Sequence, residues 1–472
     1  MSVAIHWFRR DLRLTDNTAL NAALAAHEEV VAVYIVSEWR KSHHWCGAPR
    51  QAFLCGCLES LAKNLERKGG RLIVRRGAPD AALQQLARDC GATALYFNRD
   101  PDPFGRVMEE RIASMAARVG VSVHPCKDIA LHERDEVLTG GSSWFRVFTP
   151  YAKAWRTLEK PPPGKRAARL STPGQIASEP LPTLATWDLS STATVINPGE
   201  AAARKRLARF LDGRIFDYAN LRDLPVADGT SRLSQDLRHG TLSIREVYAG
   251  CQAVAAKANA DQRRSVETFI NELIWREFYM QVLWFNPGVL EAELQEECRD
   301  LAWRDRWRPE QGPAGEPYQR WCRGETGFPI VDAGMRQLNA TGFMHNRVRM
   351  ITAMFLTKDL HVWWMHGESY FMRQLVDGEI ASNNGGWQWS ASTGTDAAPY
   401  FRIQNPWLQA KSFDPDGEYI RRWIPELRDV PSSRLFAPPP AGSPLGKGYS
   451  FPIVDHARER EVTLEMFGRR PD

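Results

Sequence analysis

A carboxylate, an indole, a guanidinium and a phenol fall at helical spacing in one apolar stretch. They are Glu272, Trp275, Arg276 and Tyr279 of SVETFINELIWREFYMQVLWF, residues 265–285. Offsets of i, i+3, i+4 and i+7 put them on one face of a helix that is apolar elsewhere and therefore expected to be buried. An internal Glu–Arg ion pair would explain the charges without any ligand. A carboxylate and an indole facing a cavity would equally suit a planar molecule with imide N–H donors. A second stretch, FMHNRVRMITAMFLTKDL at 343–360, sets Asn346, Arg347, Arg349 and Met350 on one arc of another apolar helix. A buried arginine needs an anion or a planar acceptor, because an unpaired buried charge is costly. Asp377 is the candidate partner of Arg349, and a solvated arginine is the plainer alternative.

Three further features bear on chemistry. Thr230, Ser231, Arg232, Leu233 and Ser234 follow Gly229 at the start of a helical pattern, where hydroxyls and free N–H groups suit phosphate and ordinary N-capping equally. Residues 377–406, DGEIASNNGGWQWSASTGTDAAPYFRIQNP, are thirty residues rich in Asn, Gly, Ser and Thr with two tryptophans and four charges. Their composition is wrong for a strand, an exposed helix or a plain linker, and predicts a long, aromatic-lined loop walling a buried site. Eleven of the 17 tryptophans lie from Trp275 onward. Core filling is the usual reason for Trp, and indoles near a redox cofactor also carry one-electron holes.

The elements that would position these residues divide into three stretches. Residues 1–130 alternate short Val/Ile/Leu runs (3–8, 30–36, 71–74, 94–98, 121–124) with helical patterns (49–68, 80–89, 106–119), the signature of a parallel sheet covered on both faces. No GxGxxG follows the first run; a charged RRDLRLTDN loop stands there instead. Residues 131–198 read as a connector, rich in Pro, Ser and Thr from residue 159 on, and 199–472 as all-helical. GSPLGK at 442–447 is not a phosphate loop: one spacer residue is missing, no Ser or Thr follows the Lys, and a Pro sits inside. The expected fold is therefore α/β followed by all-α: a Rossmann-like domain, a long connector and a helical domain. At 472 residues two domains are expected, and a net charge of +5 permits a polyanionic partner without requiring one. Eight cysteines without a CxxC pair, and the adjacent His43 and His44, point to reduced thiols and no metal site. No run of 18 apolar residues occurs, so a cytoplasmic chain that does not span a membrane is expected.

WFRRDLRLTDN near the start, GTSRLS at 229–234, NELIWREFY at 271–279, TGFPIVDAGMRQL at 326–338, MHNRVRM at 344–350 and DGEIASNNGGWQW at 377–389 together resemble the photolyase and cryptochrome family, in its order and over almost the whole chain. The resemblance implies an α/β antenna domain and a helical domain holding FAD. Asn346, Met350 and Asn383 are similar to the class I members that repair cyclobutane pyrimidine dimers, which implies light-driven repair of UV-damaged DNA by a monomer. By the same resemblance, FAD contacts are Tyr218, Thr230, Ser231, Arg232, Leu233, Ser234, Arg276, Arg349, Asp377 and Glu379, with Asn383 facing flavin N5. Glu272, Trp275, Tyr279, Asn346, Arg347, Met350 and Trp389 would meet the flipped-out dimer, and Arg222, Arg402 and Gln409 the DNA strand.

Photoreduction of FAD would run through Trp387, Trp364 and an outer tryptophan, Trp307 with Trp303 as the fallback, since GPAGEP at 312–317 resembles an insertion. Glu379 departs from the Asp of the family's DGD. DPDPFGR around Phe104 and Gly105 resembles members with a deazaflavin second chromophore more than those with a folate. Two rival readings are a photosensory cryptochrome, disfavoured by the roughly forty residues after Pro431, and a light-independent flavin oxidoreductase, for which no dinucleotide fingerprint is present.

Overall fold

The computed structural model describes residues 2–36, 43–304, 315–395, 402–440 and 442–468. Its first part is a five-stranded sheet, all parallel: β1 (Val3–Phe8), β2 (Glu29–Val36), β3 (Leu72–Arg76), β4 (Ala94–Asn98) and β5 (Ser122–Cys126), in the order β3-β2-β1-β4-β5. Helices α1 (Thr18–Ala26), α2 (Ala48–Glu66), α3 (Pro79–Cys90) and α4 (Pro103–Val119) cross between them. Alternation along the strands feeds two cores. Ala4, Phe8, Val30, Ala32 and Tyr34 face one cluster; Ile5, Trp7, Val31, Val33 and Ile35 face the other. Both faces of the central strands are therefore covered, which is why β1, β2 and β4 read as nearly unbroken apolar runs.

In such a fold the crevice where strand order reverses, here between β1 and β4, is the usual ligand site. In this chain it is filled by its own side chains. Asn98 donates to Asp11 at 2.7 Å, and Arg10 donates to Asp100 at 2.8 Å. The same RRDLRLTDN loop is bolted to the second half by buried charges. Arg13 and Arg245 both bind Asp128 at 2.7 Å, Arg245 binds Asp16 at 3.0 Å, and Glu200 accepts the Leu14 and Thr15 N–H groups at 3.0 and 3.1 Å.

The connector lies along the sheet half. The Ala167 and Glu179 N–H groups donate to Leu14 and Val74 carbonyls, and Trp187 enters the core. It also carries α5 (Phe148–Thr157). Beyond it the described residues are helical. The long α6 (Ala260–Phe285) begins five residues before the apolar run, where Asn259 and Gln262 form a capping box. Asn346–Met354 forms α7, capped by His345, and runs into a π turn at Phe355–Asp359. Next come α8 (Trp364–Gln374), α9 (Ile380–Ala391) and finally α10 (His456–Met466).

The expected loop at 377–406 is corrected by α9. Glu379 caps it by accepting the Ser382 N–H at 2.9 Å, and Asn384 and Gln388 bond the Val289 carbonyl. Tertiary contacts override the poor helix propensity of SNNGG. Gly385 is required by packing, since a Cβ there would lie 2.1 Å from the Tyr279 ring on α6. Residues 396–401 of that stretch lie outside the described residues.

A candidate cofactor cavity with a nucleic-acid-facing mouth

Helices α6, α7 and α9, the turn 230–234 and the start of α5 enclose a cavity of about 800 Å³. Roughly 300–1,000 Å³ is usual for cofactor sites. Tyr218, Thr230, Ser231, Arg232, Leu233, Ser234, Arg276, Arg349, Asp377 and Glu379 all line it, as do Arg222, Glu272, Trp275, Tyr279, Asn346, Met350, Trp389 and Arg402. The structure thus gathers residues from 218 to 402 around one space.

Its interior is cationic. Arg349 donates to Asp377 at 2.9 and 3.2 Å, the pairing expected from sequence. The other arginines are less well matched. Burial lowers the Arg276 guanidinium to about 10 and Arg238 to about 9, the latter pressed further by Arg10 and Arg50. Burial also lowers Arg232, whose Nε has no hydrogen-bond partner among the described residues and whose guanidinium stacks on Phe343 at 3.5 Å. Arg232 holds φ at 54°, a conformation costing a non-glycine residue roughly 1–3 kcal/mol that strongly packed or functional turns retain. Burial opposes charge on Glu379, yet Arg10, the Ser382 N–H and Arg276 hold it below the ordinary carboxylate range. A dianionic pyrophosphate is the kind of group that would relieve these arginines, so the donor set fits a dinucleotide.

The mouth is aromatic. Trp275 lies flat on Phe148, with centroids 3.7 Å apart and planes 3° from parallel, and Arg402 sits 5.1 Å over Trp389. Glu272 is not paired with Arg276: Arg222 binds it at 2.7 Å, while Arg276 donates to the Ile129 carbonyl at 2.9 Å. Burial raises Glu272 and Arg222 opposes the rise.

Some expected residues stand off the wall. Asn383 turns its amide to Glu368, Oε1 at 2.9 Å. Arg347 pairs with Asp223 at 2.9 Å, and Gln409 is half-buried on the helix Pro406–Phe413. Trp387 is buried edge-on to Phe371 and Trp321, and Trp364 is fully buried behind it in the same core. Trp307 lies outside the described residues; Trp303 is described and buried. Sequence reasoning missed Arg10, Arg238, Phe148 and Glu368. The Arg10 loop was visibly too charged for a dinucleotide turn, which was the available hint. The other three carry no local signal.

A parallel-sheet half joined to a helical half around an arginine-floored, aromatic-mouthed cavity defines a dinucleotide-cofactor protein. Residues 4–167 match the family model described as DNA photolyase, and residues 269–469 the one described as FAD binding domain of DNA photolyase. A deoxyribodipyrimidine photo-lyase of Escherichia coli is 40% identical, covering 99% of this chain and 98% of its own length; one of Halobacterium salinarum is 39% identical, covering 98% of each. A bacterial class III photolyase from Agrobacterium tumefaciens superposes with a TM-score of 0.90 at 35% identity over 99% of this chain and 97% of its own. A Synechocystis cryptochrome gives 0.89 at 26% identity over 99% of each. The chain belongs to the DNA photolyase family. Among the described residues no helix is long and apolar enough to cross a membrane.

Proposed function

We propose that this chain is a deoxyribodipyrimidine photo-lyase that splits cyclobutane pyrimidine dimers in DNA under blue or near-UV light, in the cytoplasm and as a monomer. The observation that carries the reading is one cavity with two chemistries: arginines inside and a carboxylate between aromatic faces at the mouth. Bound FAD, when reduced and light-excited, supplies the electron that opens the cyclobutane ring and takes it back afterwards.

The chain's own residues hold and orient. Arg232, Arg238 and Arg276 neutralise the pyrophosphate, with the hydroxyls and N–H groups of Thr230–Ser234 around it. The Arg349–Asp377 pair and Tyr218 shape the rest of the cofactor wall, and Glu379, held charged by Arg10, caps α9 there. Asn383, whose amide is anchored on Glu368, would meet the flavin N5 region with its carbonyl oxygen.

At the mouth Trp275 and Trp389 flank the flipped-out lesion, and Glu272 accepts its imide N–H. Asn346, Met350 and Tyr279 close that pocket. Flipping is cheapest where stacking is already broken, which favours a damaged step. Arg347 completes the lesion contact, and Arg222, Arg402 and Gln409 engage the strand's phosphates, which position the duplex without reading its sequence. Trp387 and Trp364 form the inner part of an electron-entry route to oxidised FAD. The DPDPFGR loop favours a deazaflavin over a folate as second chromophore; a relative from Sulfolobus tokodaii (31% identical, TM-score 0.84) is described with two FAD molecules. An absorption spectrum of the purified protein decides among these.

The test of function is loss of thymine dimers from irradiated DNA under blue light with reduced, FAD-loaded protein. Dimers left unchanged by full-length, loaded protein would refute it. The cryptochrome alternative shares the fold, and no feature of the site favours it.

A further inference from the structure

Behind the cavity, Glu293 is buried, 1% exposed, in the loop between α6 and the stretch that leads to Trp303. Its Oε1 accepts three indole N–H groups: Trp363 at 2.9 Å, Trp303 at 3.2 Å and Trp364 at 3.3 Å. Trp363 and Trp364 meet edge to face, with centroids 6.4 Å apart. The loop is tied to α9, which carries Trp387. The Leu294 N–H donates to Gln388 at 2.8 Å, and the Gln295 N–H to the Thr393 carbonyl at 3.0 Å.

Indole N–H groups are neutral donors, and a carbonyl or an amide oxygen would satisfy them at less desolvation cost than a carboxylate. What a carboxylate adds is negative charge at hydrogen-bond distance from three π systems in a medium of low dielectric. That favours any state in which one of those indoles is positive. Indoles are among the most easily oxidised side chains, so the positive state in question is an indole that has lost an electron.

We propose that Glu293 is a positioning residue for electron entry: it pins Trp303, Trp363 and Trp364 as one cluster and stabilises the hole left there. The proposal rests on the photolyase reading, in which oxidised FAD draws an electron from tryptophan. One electron leaves an indole of the cluster for the light-excited oxidised isoalloxazine, and no covalent bond breaks. The hole settles among the three indoles; an added thiol returns one electron and loses its proton to become a thiyl radical, and two such radicals, from two turnovers, couple to a disulfide. Trp303 and Trp363, 7% and 6% exposed against none for Trp364, are the members from which that exchange takes place.

The experiment compares wild type with Glu293→Gln, which keeps volume and an acceptor oxygen but removes the charge. In ¹⁵N-tryptophan-labelled protein in the dark, three indole N–H resonances should move upfield together in the variant as their charge-assisted bonds weaken. Flash absorption of FAD-loaded protein should show the tryptophan hole lost to charge return on the order of tenfold faster, with a matching fall in thiol-supported photoreduction. Repair by protein reduced chemically beforehand should be unchanged. Equal hole lifetimes and photoreduction in both proteins would overturn the proposal, as would a loaded wild type that does not photoreduce. Should Glu293→Gln fail to load FAD, the double variant W303F/W363F decides instead: the proposal requires faster charge return because the hole is confined to Trp364, and an unchanged lifetime overturns it. Failure of pre-reduced wild type to repair dimers would refute the photolyase reading itself, a separate result.

Discussion

The Asn383 amide is held by Glu368, donating to Oε1 at 2.9 Å, while the Trp45 indole donates to Oε2 at 2.9 Å from the other half of the molecule. Burial pushes Glu368 up to about 7, against the pull of those donors. Near neutral pH this carboxyl therefore changes charge within reach of the residue that faces the proposed flavin N5 position.

The sign follows from linkage. The folded state holds the Glu368 proton more tightly than the unfolded chain, so its contribution to stability is full below about pH 4.5 and falls as pH rises to about 7. A Glu368→Gln variant should escape that loss and be more stable than wild type at pH 8 by roughly 3 kcal/mol as an upper figure. Urea melts of both proteins at pH 5 and pH 8 check this; parallel pH profiles would contradict it.

Glu272→Ala should leave flavin absorbance intact and reduce repair. Its partner Arg222 is left without its 2.7 Å ion pair, and the lesion loses an acceptor. An unmade buried hydrogen bond costs about 1–3 kcal/mol, so dark affinity for a dimer-containing oligonucleotide should fall by that amount. Undiminished repair would mean that the lesion pocket lies elsewhere.

Arg238→Met should act in opposite directions on the two states. Arg238 donates to the Gly378 carbonyl at 2.9 Å, but burial and the neighbouring Arg10 and Arg50 lower its guanidinium to about 9. Without FAD the variant should melt higher, because a poorly matched buried charge is gone. FAD should bind at least about tenfold more weakly, the effect of losing 1.4 kcal/mol of anion pairing. Melting with and without added FAD, together with a flavin titration, reads both.

Gly385→Ala tests the seat of α9. A methyl group there would lie 2.1 Å from the Tyr279 ring, so α6 and α9, which carry Glu272 and Trp387, would have to part. Overpacking of this kind costs about 1–3 kcal/mol. The expected outcome is a lower melting temperature with reduced flavin content, and full content at unchanged melting would contradict the packing described.

What was legible in the sequence was mostly local and periodic. Five short runs became the five strands, each within two residues; β1, β2 and β4 are apolar almost throughout because they are buried on both faces, whereas β5 is a largely exposed edge strand. The face carrying Glu272, Trp275, Arg276 and Tyr279 was readable from 3.6-residue spacing, and Arg349 found Asp377. Partner choice across long separations was not readable. Glu272 took Arg222, fifty residues away, in place of its neighbour one turn on. Residues 380–391 were misread as loop because Asn, Gly and Ser argue against helix on propensity alone. The capping carboxylate of Glu379 and the Tyr279 contact that demands Gly385 are visible only once α6 and α9 are side by side. Glu368 and Glu293 sat among ordinary helical and loop sequence, where nothing announces that an acid will be buried.

The charged seam between the halves carries a further consequence. Arg13, Asp16, Asp128 and Arg245 are each at most 6% exposed, and Arg10 reaches Glu379 across the same boundary at 3.4 Å. Parting the halves would separate Arg245 from Asp16 and Asp128 and Arg10 from Glu379, and breaking a single buried pair already costs about 3–5 kcal/mol. Among the described residues this seam is therefore costly to open. Heated or cut, it should come apart in one step, and the helical half alone should neither fold nor keep its cofactor.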